Sequence, residues 1–390
     1  MIEERDMREF AYLKDTAYLD VASVGLQPQR TLDYCRNFQQ EFVDSRGRIC
    51  FGPYGEMRRS TAGLAAQLIG ADAPGNGDAG EILFTSNTTE GDSLLAACYP
   101  LKAGDSVLTC VGEYPSVSLG WAMKRAEGIR LQLVPMKNGV LDADEIIARM
   151  DDTTKVAAFS FVQFQSGFKL DLAKIGRACR ERGILFLVDG IQGVGRNPVN
   201  VKEMCIDVLS CGAFKGLLGP LGTGFVYVRK EIIPRLTPYV FSSGNIAAEE
   251  EEMEHWEDFP PLTYREGIQR LEGGSKNTYG ITAMGESIGL LLEIGIENIH
   301  AYILGLEREF RNYVREQGIP VTFLGAEEEA YWSGNICMRF RKEKTEELRK
   351  AFTEQDIYAK IEEGFLRLGL HFYNTQEHLM RAARVLQEVL

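Results

Sequence analysis

Two runs decide the fold: ILFLVDGIQGVG at 184–195 and VLSCGAFKGLLGPLGTGFVYV at 208–228. Ile184 to Val188 is apolar throughout, with none of the alternation of a half-exposed strand, and reads as a parallel strand buried on both faces. It stops at Asp189, and the carboxyl ends of strands are where open α/β sheets place their chemistry. In the second run Val208-Leu209 leads to Lys215, a Gly- and Pro-rich turn follows, and Gly224 to Val228 is a further strand. An acid and a lysine thus stand just past neighbouring strands, where both can face one crevice. Ala213-Phe214 and Gly216-Leu217 flank Lys215 with small or apolar side chains, unlike a solvated lysine. Desolvation would lower its pKa and make it a nucleophile.

Outward from this centre, strands and helices alternate at βαβ spacing, the pattern of a mostly parallel sheet flanked by helices. Strands are expected at 81–85, 106–111, 130–135 and 156–161, and helices at 88–99, 116–127, 142–149 and 172–182. Asp142 opens the third of these helices as its N-cap. Upstream, Ala17 to Asp20 is extended, VASVGLQP (21–28) is a turn, and 30–42 and 56–69 are helical. After Arg229 the composition shifts. Phe241 to Asn245 is loop-like, Glu249 to Glu254 is an acidic, solvated run, and Gly295 separates helices at 279–294 and 299–316. The remainder reads as a small α+β unit. The expected organisation is an N-terminal arm (1–16), a large α/β domain (17–270), and a connecting helix with a small C-terminal α+β domain (271–390).

Composition narrows the partners. A net charge of −13 over 390 residues disfavours nucleic acid and anionic membrane surfaces. No apolar run reaches the roughly 18 residues of a membrane span, and Met1 to Glu9 is too charged for a signal peptide. Eight scattered cysteines without a CxxC pair read as free thiols in a reducing cytoplasm, and four histidines without ligand spacing argue against a metal site.

A lysine able to form a Schiff base, with an acid to hold a pyridinium nitrogen, is what pyridoxal phosphate requires. The phosphate would find a place at Phe84-Thr-Ser-Asn-Thr-Thr-Glu-Gly91, which ends a strand and opens a helix. The same residues also suit an ordinary N-cap. Tyr114 follows a strand end and can stack on a ring, or simply precede the turn proline. Gln192 and Gln163 are candidates for the ring's oxygen edge, or solvated glutamines.

These residues, in this order, resemble the class V aminotransferase group of fold-type I pyridoxal-phosphate enzymes, which includes cysteine desulfurases, isopenicillin-N-epimerase-like proteins and kynureninase. The resemblance runs from Tyr18 to Thr375, and its most specific part is VDGIQGVG with the lysine and GPLGTGFVYV. It implies that Lys215 carries the cofactor and shuttles the α-proton, Asp189 pairs with the ring nitrogen and Gln192 with the ring oxygen. It implies further that Tyr114 stacks on the ring and that Asn87, Thr88 and Thr89 bind the phosphate. Ser275 would reach that phosphate from a second subunit, making a homodimer. Arg367 would clamp the α-carboxylate of a small amino-acid or keto-acid substrate, as a planar guanidinium does.

Two departures stand out. Gly212 and Phe214 occupy places where many relatives have a serine and a histidine. The loop Lys360-Ile-Glu-Glu-Gly-Phe365 lacks the cysteine that cysteine desulfurases carry there, which disfavours a persulfide-forming desulfurase. The reading is an enzyme acting on the α-amino group, transamination first, C–S lyase or epimerase chemistry behind it. A non-catalytic binding module on the same fold is the alternative of another class.

Overall fold

In the computed structural model, which describes residues 2–50, 54–75, 80–247 and 262–390, the earliest strand is β1 (Ala17–Tyr18), set apart from the main sheet. That sheet holds β2 (Ile82–Thr85), β3 (Ser106–Cys110), β4 (Arg130–Val134), β5 (Thr154–Ser160), β6 (Leu185–Asp189), β7 (Val208–Gly212) and β8 (Gly224–Val228). Its order is β2-β8-β7-β6-β5-β3-β4. Every residue of β2, β3, β6, β7 and β8 is buried, which is why their sequences are mostly apolar and lack the alternation of a half-exposed strand, whereas the edge strand β4 is half exposed. All neighbours are parallel except around β8, which runs against both β2 and β7. The link Ala213–Thr223 explains the reversal, since a parallel crossover needs a dozen or more residues. Lys215 sits on that short link, held beside the strand ends.

Helices cover both faces: α1 (Glu4–Arg8), α2 (Gln29–Asp44), α3 (Tyr54–Ile69), α4 (Thr88–Cys98), α5 (Pro115–Met123), α6 (Ala143–Ala148) and α7 (Leu172–Arg182). Asn87, Asp142 and Asp171 cap α4, α6 and α7 through their side chains. Helices α8 (Thr278–Ile294) and α9 (Ile296–Glu316) are broken at Gly295, whose φ is +87°. Ile281, Met284, Ile288 and Leu291 of α8 join the core beneath the main sheet.

A second core forms under β9 (Thr322–Phe323), β10 (Asn335–Arg339), β11 (Ile357–Tyr358), β12 (Lys360–Glu362) and β13 (Phe365–Gly369), with α10 (Thr345–Glu354) and α11 (Gln376–Val389). Ala17 and Leu19 belong to it, because β1 pairs in parallel with β11 and Asp20 bridges Gly369. The segment 360–365, expected as a loop, is instead the antiparallel hairpin β12–β13, turned at Gly364 with φ +61°. The acidic run at 249–254 lies outside the described residues. Among the described residues no single helix is long and apolar enough to cross a membrane.

Candidate active site

Lys215 is nearly buried, at 9 % exposure, and Gly25 explains how it is backed. A Cβ on Gly25 would lie 2.1 Å from the Lys215 carbonyl oxygen, so the turn 21–28 packs directly on the lysine's main chain. The Gly25 N–H donates to the Phe214 carbonyl at 2.6 Å. The lysine's Nζ stands 5.8 Å from the centre of the Tyr114 ring and 5.6 Å from that of Phe214. Burial pulls its pKa down to about 8. Asp189 pulls the other way, while Arg367 and Arg196 add to the lowering. The lysine and acid that the sequence pairs therefore share one electrostatic site.

Asp189, at the end of β6, is buried; its Oδ1 accepts the Ile191 N–H at 2.9 Å. Burial raises its pKa, the Ile191 N–H lowers it, Glu113 raises it further and Lys215 opposes. A cationic nitrogen placed against it would restore its charge.

Tyr114, 42 % exposed, stands at the N-cap of α5 with its ring edge-on to Phe164 at 5.3 Å and 88°. Gln163 is buried on Glu113, donating from Nε2 to Oε2 at 3.1 Å, and its Oε1 is buried without a partner. Gln192 is more committed than expected. Its Nε2 donates to the Ala22 carbonyl at 3.0 Å and its Oε1 accepts from Asn335 Nδ2 at 3.1 Å, leaving one N–H for a ligand.

At the polar turn, Asn87 Oδ1 accepts the Glu90 N–H at 2.9 Å, the N-capping bond expected of that position. Thr88 is buried, its hydroxyl accepting the Gly212 N–H at 2.9 Å, so it ties α4 to the end of β7. Ser86, Asn87 and Thr89 remain exposed at the helix N-terminus, where an anion is favoured. Ser275 is exposed in the turn before α8, and no contact joins it to Lys215 among the described residues of this chain.

Arg367, in the middle of β13, is 3 % exposed. Its Nη1 donates to the Phe164 carbonyl at 3.1 Å and its Nη2 to Ser23 Oγ at 2.8 Å, with Asp20 Oδ1 3.8 Å away and its Nε unpartnered. A buried guanidinium with an unpartnered Nε–H, whose neighbouring carboxylate Asp20 stands beyond hydrogen-bond contact, has donor capacity left for an incoming one.

Three further residues belong here. Glu113, buried after β3, accepts from Ser160 N (2.9 Å), Ser160 Oγ (2.5 Å), Tyr114 N (2.7 Å) and Gln163 Nε2. Its signal in the sequence was the same as that of Asp189, an acid just past an apolar strand. Asp92, buried inside α4, feels Asp189, and neither of its oxygens has a hydrogen-bond partner. Arg196, fully buried, binds the Gln192 and Leu370 carbonyls and Asn335 Oδ1, so it joins the turn after β6 to the second core.

The donor set suits pyridoxal phosphate: a desolvated amine, a buried acid lacking a cation, a half-exposed aromatic ring and an exposed helix N-terminus. The class-V aminotransferase model matches residues 17–381. The chain is 26% identical to a probable cysteine desulfurase of Methanothermobacter thermautotrophicus, over 98% of this chain and 96% of the relative. It is 33% identical to a cysteine desulfurase of Cronobacter sakazakii, over 78% and 73%. Its fold superposes on the apo cysteine desulfurase of Thermococcus onnurineus with a TM-score of 0.86, at 22% identity, covering 100% of this chain and 98% of the other. The chain belongs to the class-V aminotransferase family of pyridoxal-phosphate enzymes.

Proposed function

We propose that this enzyme acts on the α-amino group of a small amino acid and breaks a Cβ–S bond by elimination, with pyridoxal phosphate held on Lys215. The observation that carries the reading is the desolvated Lys215 amine between Asp189 and the Tyr114 ring, and the names of the relatives favour sulfur chemistry over transamination. Bound there, the cofactor supplies an electron sink that makes the substrate's α-hydrogen acidic.

The chain's own residues do the rest. Arg367 holds the α-carboxylate through its guanidinium and fixes which bond at Cα faces the lysine. The Lys215 amine, whose pKa burial lowers to about 8, takes the α-proton in its unprotonated form and returns it to the departing sulfur. Asp189 provides negative charge at the ring nitrogen. Tyr114 and Phe164 wall the ring and keep water off. With cysteine the balance is one water in, and pyruvate, ammonia and hydrogen sulfide out.

Sulfur leaves free because no suitable thiol waits for it. Cys110, Cys211 and Cys337 are buried, and burial pushes the Cys337 thiol up to about 12. All eight cysteines are unpaired, and segment 360–365 carries none. We further read the enzyme as a homodimer in which Ser275 serves the partner's phosphate. The deciding experiment incubates the holoenzyme with an amino-acid panel and scores keto acid, sulfide, ammonia and enantiomer separately. Sulfide with pyruvate and ammonia is expected. A stoichiometric new amino acid from a keto-acid acceptor would instead establish transamination.

A further inference from the structure

The cavity beside Arg367, about 80 Å³ in volume, is walled by more cations than one carboxylate needs. Phe164, Gln165, Arg339, Lys360, Glu362 and Phe365 line it with Arg367. Phe164 also touches Tyr114, whose ring stands beside the Lys215 amine, so this space adjoins the active site.

Register explains the clustering. In the antiparallel sheet β12-β13-β10, Lys360 stands directly opposite Arg367, and Arg339 stands opposite Phe365 two residues along β13. Opposed residues share a face, and so do residues two apart on a strand. Arg367, Lys360 and Arg339 therefore project from one face of one small sheet, with Glu362 among them. Lys360 pairs with Glu362 at 3.0 Å, a carboxylate whose side chain is 60% exposed. Arg339 lies with its guanidinium 5.3 Å from the Phe365 ring centre and has no ion-pair partner among the described residues. Arg367 is occupied by the α-carboxylate in the reading above. Arg339 and Lys360 are left facing whatever extends beyond Cβ.

We propose that Arg339 and Lys360 form a subsite for a second anionic group, so that the preferred substrate is an amino acid whose side chain ends in a carboxylate or similar oxyanion. Glu362 tempers the subsite by holding Lys360. The inference rests on Arg367 marking the substrate end of the site, and it names the class of substituent carried by the sulfur.

The test titrates the holoenzyme with two cysteine thioethers of equal length, S-(2-carboxyethyl)-L-cysteine and S-propyl-L-cysteine. Binding is read from the visible absorbance of the cofactor, and sulfur product is measured separately. The carboxylate is expected to bind about three- to tenfold more tightly at low salt, with the gap closing as ionic strength rises. Arg339→Gln should shrink the gap toward one, and Glu362→Gln should widen it. Equal affinities, or a gap untouched by both variants, overturn the subsite. If the gap appears without any thiol product, the elimination reading falls and the subsite stands. If both thioethers are cleaved with equal affinity, the subsite falls and elimination stands.

Discussion

His371 donates from Nε2 to the carbonyl oxygen of Gly216, the residue after Lys215, at 2.9 Å. Its Nδ1 accepts the Phe372 N–H at 2.8 Å, so the ring is held as the neutral Nε2–H form and a second proton would face a donor. Burial, the largest influence, lowers its pKa to about 3. The sign follows directly. The unfolded chain binds this proton first, near pH 6.5, so stability from this residue is intact above that pH and falls as pH drops toward 3. His371→Gln should flatten the loss of melting temperature between pH 6.5 and 4, read by scanning calorimetry. An unchanged slope would remove His371 from the account.

Apo enzyme should take up pyridoxal phosphate at a rate that climbs about tenfold per pH unit and levels near pH 8, since the Lys215 amine titrates there. An ordinary surface lysine would keep climbing past pH 10. Stopped-flow absorbance separates the two, and Lys215→Ala should abolish the borohydride-stable adduct.

Glu113 holds two strand ends by accepting five hydrogen bonds, the fifth from the Cys110 thiol at 3.6 Å. Glu113→Ala strands buried donors on Ser160 and Gln163, a loss of about 3 kcal/mol in denaturant titration. Glu113→Gln should recover part of it. Equal stability of all three proteins would show that the network carries no weight.

Asp92 and Asp189 were legible to different degrees, and the reason is local. Asp189 ends a strand with no polar alternation, which betrays burial from the sequence alone. Asp92 is a lone acid on a helix, and only the sheet behind α4 makes it buried. The same holds for Arg367: β11, β12 and β13 are too short to show a period, so the hairpin that carries it read as a loop. Thr88 turned out to be a tie between α4 and β7, which no pattern of residues along one segment reveals.

Asp92 sits unpartnered beside Asp189, and burial first, then Asp189, raises its pKa well above the carboxylate range. A raised folded pKa favours the native state at low pH and costs stability as pH rises above about 4. Asp92→Asn should therefore match the wild type near pH 4 and exceed it in melting temperature at pH 8. A variant less stable at both would mean that the carboxyl is ionised and paired.

Arg367 grips Phe164 O and Ser23 Oγ with separate nitrogens, so a lysine cannot replace it. Arg367→Lys should raise KM for cysteine on the order of a hundredfold, close to Arg367→Ala, while the cofactor's absorbance in the resting enzyme is retained. Full rescue by lysine would sink the clamp.

The seat of Gly25 on the Lys215 carbonyl carries a lesson about assembly. One wall of the reactive amine comes from the turn 21–28, and Arg367 and His371 reach the same place from a strand and turn far along the chain. The large sheet can pair its strands within 82–228, but the catalytic chamber closes only when these distant segments meet. Such long-range closure is slow, which places acquisition of the cofactor after the sheet has formed.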